Sequence, residues 1–229
     1  MPAGLESAVW LVIPAYNEAA VIGRVVADLV RRRYNVVVVD DGSTDETGRN
    51  AAAAGAIIVT HPINLGQGAA LQTGIQFALQ NCAETIVTFD ADGQHRAADI
   101  EALIGALRGN DADFALGSRF LGGAIAMPAS RRLLLIAATW FTRLTTGMNI
   151  SDTHNGLRAM TRRGATRIAL RQNRMAHASE LLDQIARSGL RYVEVPVTIE
   201  YSRYSLAKGQ RLADSLRILV DLSAQRLSR

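Results

Sequence analysis

Hydrophobic positions fall into short runs separated by longer helical patterns. Val9-Trp10-Leu11-Val12-Ile13-Pro14 is apolar throughout and closed by proline, which predicts a buried strand. From Glu18 to Arg33, Val21, Ile22, Val25, Val26, Leu29 and Val30 recur at helical spacing and predict an amphipathic helix. Val36–Val39 is a β-branched run, followed by a helix through about Ala54 with Ser43 or Thr44 as the expected cap. Ala56–Val59 predicts a third strand, Leu65–Asn81 a helix, Thr85–Phe89 a fourth strand, Ala98–Arg108 a helix and Asp113–Gly117 another strand. Beyond residue 120 the rhythm changes. Ser130–Met148 reads as a helix, and Glu180 stands at the start of another. Tyr192–Ile199 reads as a strand that Pro196 confines to an edge, and Leu206–Leu227 as an amphipathic helix.

Strands alternating with helices predict an α/β fold: a mainly parallel central sheet with helices on both faces. Ligands of such sheets bind beyond the carboxyl ends of the strands. Three of those ends carry polar clusters: Pro14-Ala15-Tyr16-Asn17-Glu18, Asp40-Asp41-Gly42-Ser43 and Asp90-Ala91-Asp92. With no linker-like composition, the chain reads as one domain over 1–229. The strand–helix alternation covers 8–120, 121–200 departs from it, and 201–229 reads as a basic loop and helix.

Composition narrows the class. The 229 residues are 48% hydrophobic and 20% charged, values of a globular protein with a sizeable core. The single cysteine, Cys82, excludes an internal disulfide and fits a reducing, cytoplasmic setting. The first residues lack the pattern of a signal peptide. No apolar run reaches the roughly 18 residues of a membrane span. The longest, Leu133–Phe141, is bracketed by Arg131, Arg132 and Arg143 and suits lying on a membrane surface. Of 25 basic and 21 acidic residues, six and two fall within 201–229, leaving 19 of each sign before it. So local a basic excess argues against a nucleic-acid binder and suits an anionic lipid surface or a phosphate.

Two aspartates separated by one residue at a strand end can hold Mg2+ or Mn2+ against a diphosphate, although a bare Asp-x-Asp is also ordinary turn chemistry. Gln94 and His95 are spaced to assist. Asp41 can accept from a base or ribose, Gly42 permits the turn, and Tyr16 offers a stacking face with Glu18 beside it. Asn64-Leu65-Gly66-Gln67-Gly68 can bring backbone N–H groups to a phosphate or sugar. Lys208 is the only lysine beside 24 arginines, and its mobile ammonium suits a loop that closes on phosphate. His154 could serve as a base beside Asp152, although His154 and His177 both also suit polar loop roles.

As a set, Pro14–Glu18, Val39–Asp45, Asn64–Gly68, Asp90–His95 and Gly117-Ser118-Arg119-Phe120 resemble family 2 glycosyltransferases over about residues 8–200. Within that family the nearest likeness is to dolichyl- or polyprenyl-phosphate sugar synthases. The resemblance implies a GT-A fold, with a nucleotide-binding half over 8–120 and an acceptor-side half over 121–200, and metal-dependent, inverting transfer from a UDP- or GDP-sugar. It implies that Pro14, Tyr16, Glu18, Val39 and Asp41 contact the nucleoside, and that Asp90, Ala91 and Asp92 meet the metal and diphosphate, with Gln94 a further ligand. Arg119 would contact the diphosphate or acceptor phosphate, with Arg131 or Arg132 on the acceptor side. Asp152–Arg158 would be the acceptor segment and Lys208 the mobile-loop cation. Subfamily members often carry C-terminal membrane helices and this chain shows none, so a polyprenyl phosphate acceptor would be met at the inner face of the cell membrane, with an integral membrane partner as one way of holding the protein there.

A lipid phosphate is already anionic and needs no general base. A saccharide or other hydroxyl acceptor does need one, for which Asp152 is the candidate. A nucleotide-sugar pyrophosphorylase would need a basic, glycine-rich loop after the first strand, and no basic residue precedes Arg24 there. A non-catalytic nucleotide-binding domain would have less use for both Asp90 and Asp92.

Overall fold

The computed structural model describes residues 8–172, 176–202, 204 and 205. In chain order the strands are β1 (Val9–Ala15), β2 (Asn35–Asp40), β3 (Ile57–Thr60), β4 (Thr85–Thr88), β5 (Phe114–Ile125), β6 (Arg158–Thr161) and β7 (Tyr192–Glu200). The helices are α1 (Ile22–Arg31), α2 (Thr47–Ala53), α3 (Gln67–Gln80), α4 (Asp99–Gly109), α5 (Ala129–Thr146), α6 (Arg162–Ala165) and α7 (Ala176–Ser188). The strands form one sheet in the order β3-β2-β1-β4-β6-β5-β7. Neighbours pair in parallel except at β6, which runs antiparallel to both β4 and β5.

Side-chain alternation along β1 divides the core. Leu11 and Ile13 pack with Ile22, Val26 and Leu29 of α1, Ala51 of α2, and Ile100 and Leu103 of α4. Trp10 and Val12 face the opposite layer, with Leu71 and Ile75 of α3 and Leu181 and Ile185 of α7. Strands apolar on both faces fold as parallel strands because helices cover both sides.

Several sequence expectations change. Residues 158–161 were not anticipated as a strand, yet β6 stands inside the sheet. Because it runs backwards, its first residue, Arg158, lies at the edge where β4 ends. The first helix starts at Ile22 rather than Glu18, whose carbonyl accepts from Val21 and Ile22 N–H in a preceding turn. Neither Ser43 nor Thr44 caps α2. Its N-cap position is Glu46, with no side-chain cap bond, and Asp45 accepts from Thr47 N–H. β5 runs on to Ile125 through a register shift between Ser118 and Gly123. β7 is an edge strand, as Pro196 requires. The helix expected over 206–227, Lys208 and most of the basic 201–229 stretch lie outside the described residues.

Candidate active site

The ends of β1 and β2 are stitched together by their own loops. Asn17, at φ 52°, donates its N–H to Ser43 Oγ at 3.0 Å, and its side-chain oxygen accepts from Thr44 N–H at 2.9 Å. Glu18 N–H donates to Thr47 Oγ1 at 2.7 Å, and Ala19 N–H to Asp45. Ser43, Thr44 and Asp45 thus fix the Tyr16–Ala19 loop, which explains why they do not cap α2. Tyr16 projects outward. Glu18 is buried and accepts from Tyr204 OH at 2.7 Å.

Asp41 holds the next loop. Its carboxylate meets His61 Nδ1 at 2.7 Å and accepts from Leu65 and Gly66 N–H at 2.9 and 2.7 Å. Gly42 sits at φ +71°, and a Cβ there would lie 2.6 Å from the Ile63 carbonyl carbon, so only glycine lets the two loops meet. The Asp41 oxygens thus organise the glycine loop at the start of α3. Pro14 and Val39 lie in paired strands, where Val39 is buried and packs toward Gly74 of α3.

Asp90 and Asp92 stand where β4 ends. Asp90 meets His95 Nε2 at 2.8 Å, and Gln67 reaches it at 3.4 Å. Asp92 accepts from Gln94 N–H and from the Gln94 side-chain amide at 2.7 Å. Gln94 therefore holds Asp92 in place, with its amide hydrogens turned toward the carboxylate. Ala91 between them is buried and anchors the turn. Burial raises both carboxyls, but at Asp90 the bond to His95 and the charges of His95, His177 and Arg158 prevail and hold it below the ordinary carboxylate value. Asp92, buried beside the Asp90 charge, is pushed up to about 6.

Two carboxylates that repel each other form a donor set in want of a cation. Among the described residues no group of three or more His, Cys, Asp or Glu is placed to hold a metal. The remaining ligands would be diphosphate and water oxygens, the usual coordination of Mg2+ at phosphate sites. The residues present therefore fit a divalent ion that binds together with its diphosphate.

Behind this turn lies the segment before β6. Thr88 Oγ1 donates to the Gly156 carbonyl at 2.6 Å, and a Cβ on Gly156 would stand 2.2 Å from Asp90 Oδ2. Gly156 is thus the floor under the carboxylate. Arg158 is buried there, and one N–H donates to the Thr153 carbonyl at 3.1 Å. Burial brings its guanidinium down to about 10 against the attraction of Asp90 and Asp152.

Asp152 and Arg119 depart from expectation. Arg119 donates through Nε and its backbone N–H to Asp152 Oδ2, at 2.6 and 3.0 Å, through Nη1 to Tyr201 OH and through Nη2 to the His154 carbonyl, both at 2.6 Å. Asp152 also accepts from His154 N–H, and its side chain is 0% exposed. Asp152 is therefore the anchor of a buried ion pair rather than a presented base, and Arg119 is a positioning residue rather than a phosphate ligand. Burial opposes the charge on Arg119, but Asp152 and Tyr201 raise its pKa further. Arg131 stacks 5.1 Å over the Tyr201 ring, on the site's side of α5, while Arg132 is exposed. Burial drops His154 to about 4, so it is neutral.

Sequence reasoning missed His61, Gly156, Tyr201 and Tyr204. His61 and the tyrosines act across long sequence separations with no local motif. Gly156 lay within the acceptor segment, and its spacing from Arg158 was its one visible signal.

An α/β sheet with one reversed strand and an acidic turn at its polar edge defines a GT-A glycosyltransferase. The sequence profile described as "Glycosyl transferase family 2" matches residues 10–167, and the chain belongs to that family. It is similar to the UDP-N-acetylglucosamine–dolichyl-phosphate N-acetylglucosaminyltransferase of Methanococcus voltae, 30% identical over 95% of each chain. It is also similar to the undecaprenyl-phosphate mannosyltransferase of Micrococcus luteus, 32% identical over 82% of this chain and 81% of the relative. The crystal structure of Mycobacterium tuberculosis glucosyl-3-phosphoglycerate synthase with Mn2+ and UDP-glucose shares the fold. Its TM-score is 0.74, at 24% identity over 98% of this chain and 81% of that one.

Proposed function

We propose that this glycosyltransferase moves a sugar from a UDP- or GDP-sugar to a polyprenyl phosphate, inverting the anomeric centre, with Mg2+ or Mn2+ held by Asp90 and Asp92. The observation that carries the reading is the Asp90-Ala91-Asp92 turn, with its mutually repelling carboxyls at the shared strand edge. Both relatives named above use a prenyl-type phosphate, which supports the acceptor class. The ion, when bound, neutralises charge growing on the departing nucleoside diphosphate.

The chain's own residues do the rest. Tyr16 and Glu18 face the nucleoside, and Asp41 holds the Leu65–Gly66 backbone at the start of α3. Gln94 and Gly156 hold Asp92 and Asp90 at fixed separation. Arg131, stacked on Tyr201, stands on the acceptor side. Lys208 is assigned the contact to the departing diphosphate.

A phosphate monoester oxygen attacks the anomeric carbon opposite the leaving diphosphate, and no proton must be removed. Burial of Asp152 against Arg119 favours this acceptor, because a hydroxyl acceptor loses its candidate base. The reading includes a cytoplasmic location at the inner membrane face, supported by the exposed free thiol of Cys82. The test offers the protein labelled UDP- and GDP-sugars with either a polyprenyl phosphate or free saccharides. Label entering the lipid phosphate supports the reading, and label entering saccharides alone would overturn it.

A further inference from the structure

Helix α5 carries an apolar face that no described element covers. Leu133 is 71% exposed, Ile136 43%, Trp140 61% and Leu144 72%. At about 100° per residue these four fall within an arc of about 80°. The buried side chains of the helix, Leu135, Ala138, Thr139 and Thr142, lie on the opposite side. A row of this kind, three turns long and ending in large side chains, is an interaction surface.

We propose that this face of α5 inserts into the interface of an anionic bilayer and holds the active-site mouth against the membrane. Charge selects the occupant. From residue 120 to 151 the chain has three arginines, Arg131, Arg132 and Arg143, and no lysine or acidic residue. By the same geometry Arg132 and Arg143 lie along one flank of the apolar row, both exposed, with Arg143 Nε donating to the Ile150 carbonyl. A second copy docking face to face would set arginine against arginine, whereas anionic headgroups complement them. Trp140 mid-row suits the amphipathic headgroup zone.

The same helix reaches the site. Arg131 stacks on Tyr201, and Tyr201 accepts from Arg119, which holds Asp152. Seating the outer face of α5 in the headgroups therefore fixes the acceptor side close behind the helix, near the bilayer surface. The inference rests on the lipid-phosphate reading for its purpose but is tested apart from it.

The test uses the full chain and vesicles of phosphatidylcholine, with or without phosphatidylglycerol. Of the two tryptophans, Trp10 is already buried, so a blue shift of emission reports Trp140 entering lipid. Vesicles containing phosphatidylglycerol are expected to bind the protein, shift its emission and release it in high salt. The triple variant Leu133→Ser, Trp140→Ser, Leu144→Ser should bind at least about tenfold more weakly, with its melting temperature kept because the side chains are exposed. It should still transfer sugar to a short-chain, water-soluble prenyl phosphate as well as the wild type does. Absence of binding at low salt, or equal binding by the triple variant, overturns the docking face. So does a lipid-free dimer that the triple variant abolishes. If the wild type binds vesicles but transfers to no prenyl phosphate, the reading of function fails while the docking face stands.

Discussion

At the scale of single residues, the site is a set of carboxylates each restrained by a different neighbour. Gly156 gives the sharpest case. A methyl there would collide with the whole Asp90 carboxyl group, meeting its carbon at 2.5 Å, and Asp90 could yield only by giving up its bond to His95. Gly156→Ala should therefore cost about 1–3 kcal/mol of stability, the worth of that bond, while losing transfer by at least about 100-fold, since about 1 Å of misplacement costs that much. Calorimetry and product assay separate the two effects. Asp152→Asn should act chiefly on stability. It leaves the Arg119 guanidinium buried without its charge partner and should cost about 3–5 kcal/mol of stability in urea unfolding. Azide or formate should restore no activity, whereas rescue of a large loss would restore the base role. His154 supplies the pH dependence. Held at about 4 in the fold, below the ordinary value near 6.5, it takes up its proton more readily unfolded. Its contribution is thus complete above about pH 6.5 and is lost progressively toward pH 4, by up to about 3 kcal/mol. His154→Gln should flatten that part of the stability curve.

At the scale of elements, the sheet shows what pattern reveals and what it hides. β1, β2 and β4 are apolar on both faces, so each was legible as a buried run, and with them the edge where Asp40, Asp41, Asp90 and Asp92 gather. β6 was not. Arg158-Ala159-Met160-Thr161 is four residues long and contains one β-branched side chain, and it is a strand because β4 and β5 hold it on both sides. Missing it hid why Gly156 and Arg158 lie behind Asp90. Asp41 was legible as a site residue, but its partners were not, because His61 and the Leu65–Gly66 amides come from the loop leading into α3. Asp41→Ala should strand two backbone N–H groups and cost roughly 1–3 kcal/mol each in unfolding free energy, with nucleotide affinity falling alongside. Unchanged stability with weakened nucleotide binding would point instead to a direct contact between Asp41 and the nucleoside.

At the scale of the whole molecule, three strand ends, a reversed strand and one helix meet around a single acidic turn. In the proposed reading the nucleotide side is built from β1, β2 and α3, and the acceptor side from Asp152–Arg158 and the start of α5. No described helix is long and apolar enough to cross a membrane. The most direct test of the central claim is formation of glycosyl-phosphoryl lipid by chelator-stripped protein, before and after Mn2+ is restored, beside the Asp92→Ala variant. The expected result is product from the wild type only after metal is added and none from Asp92→Ala, with both proteins folded. Full activity in excess chelator, or an Asp92→Ala variant as active as the wild type, would contradict the account.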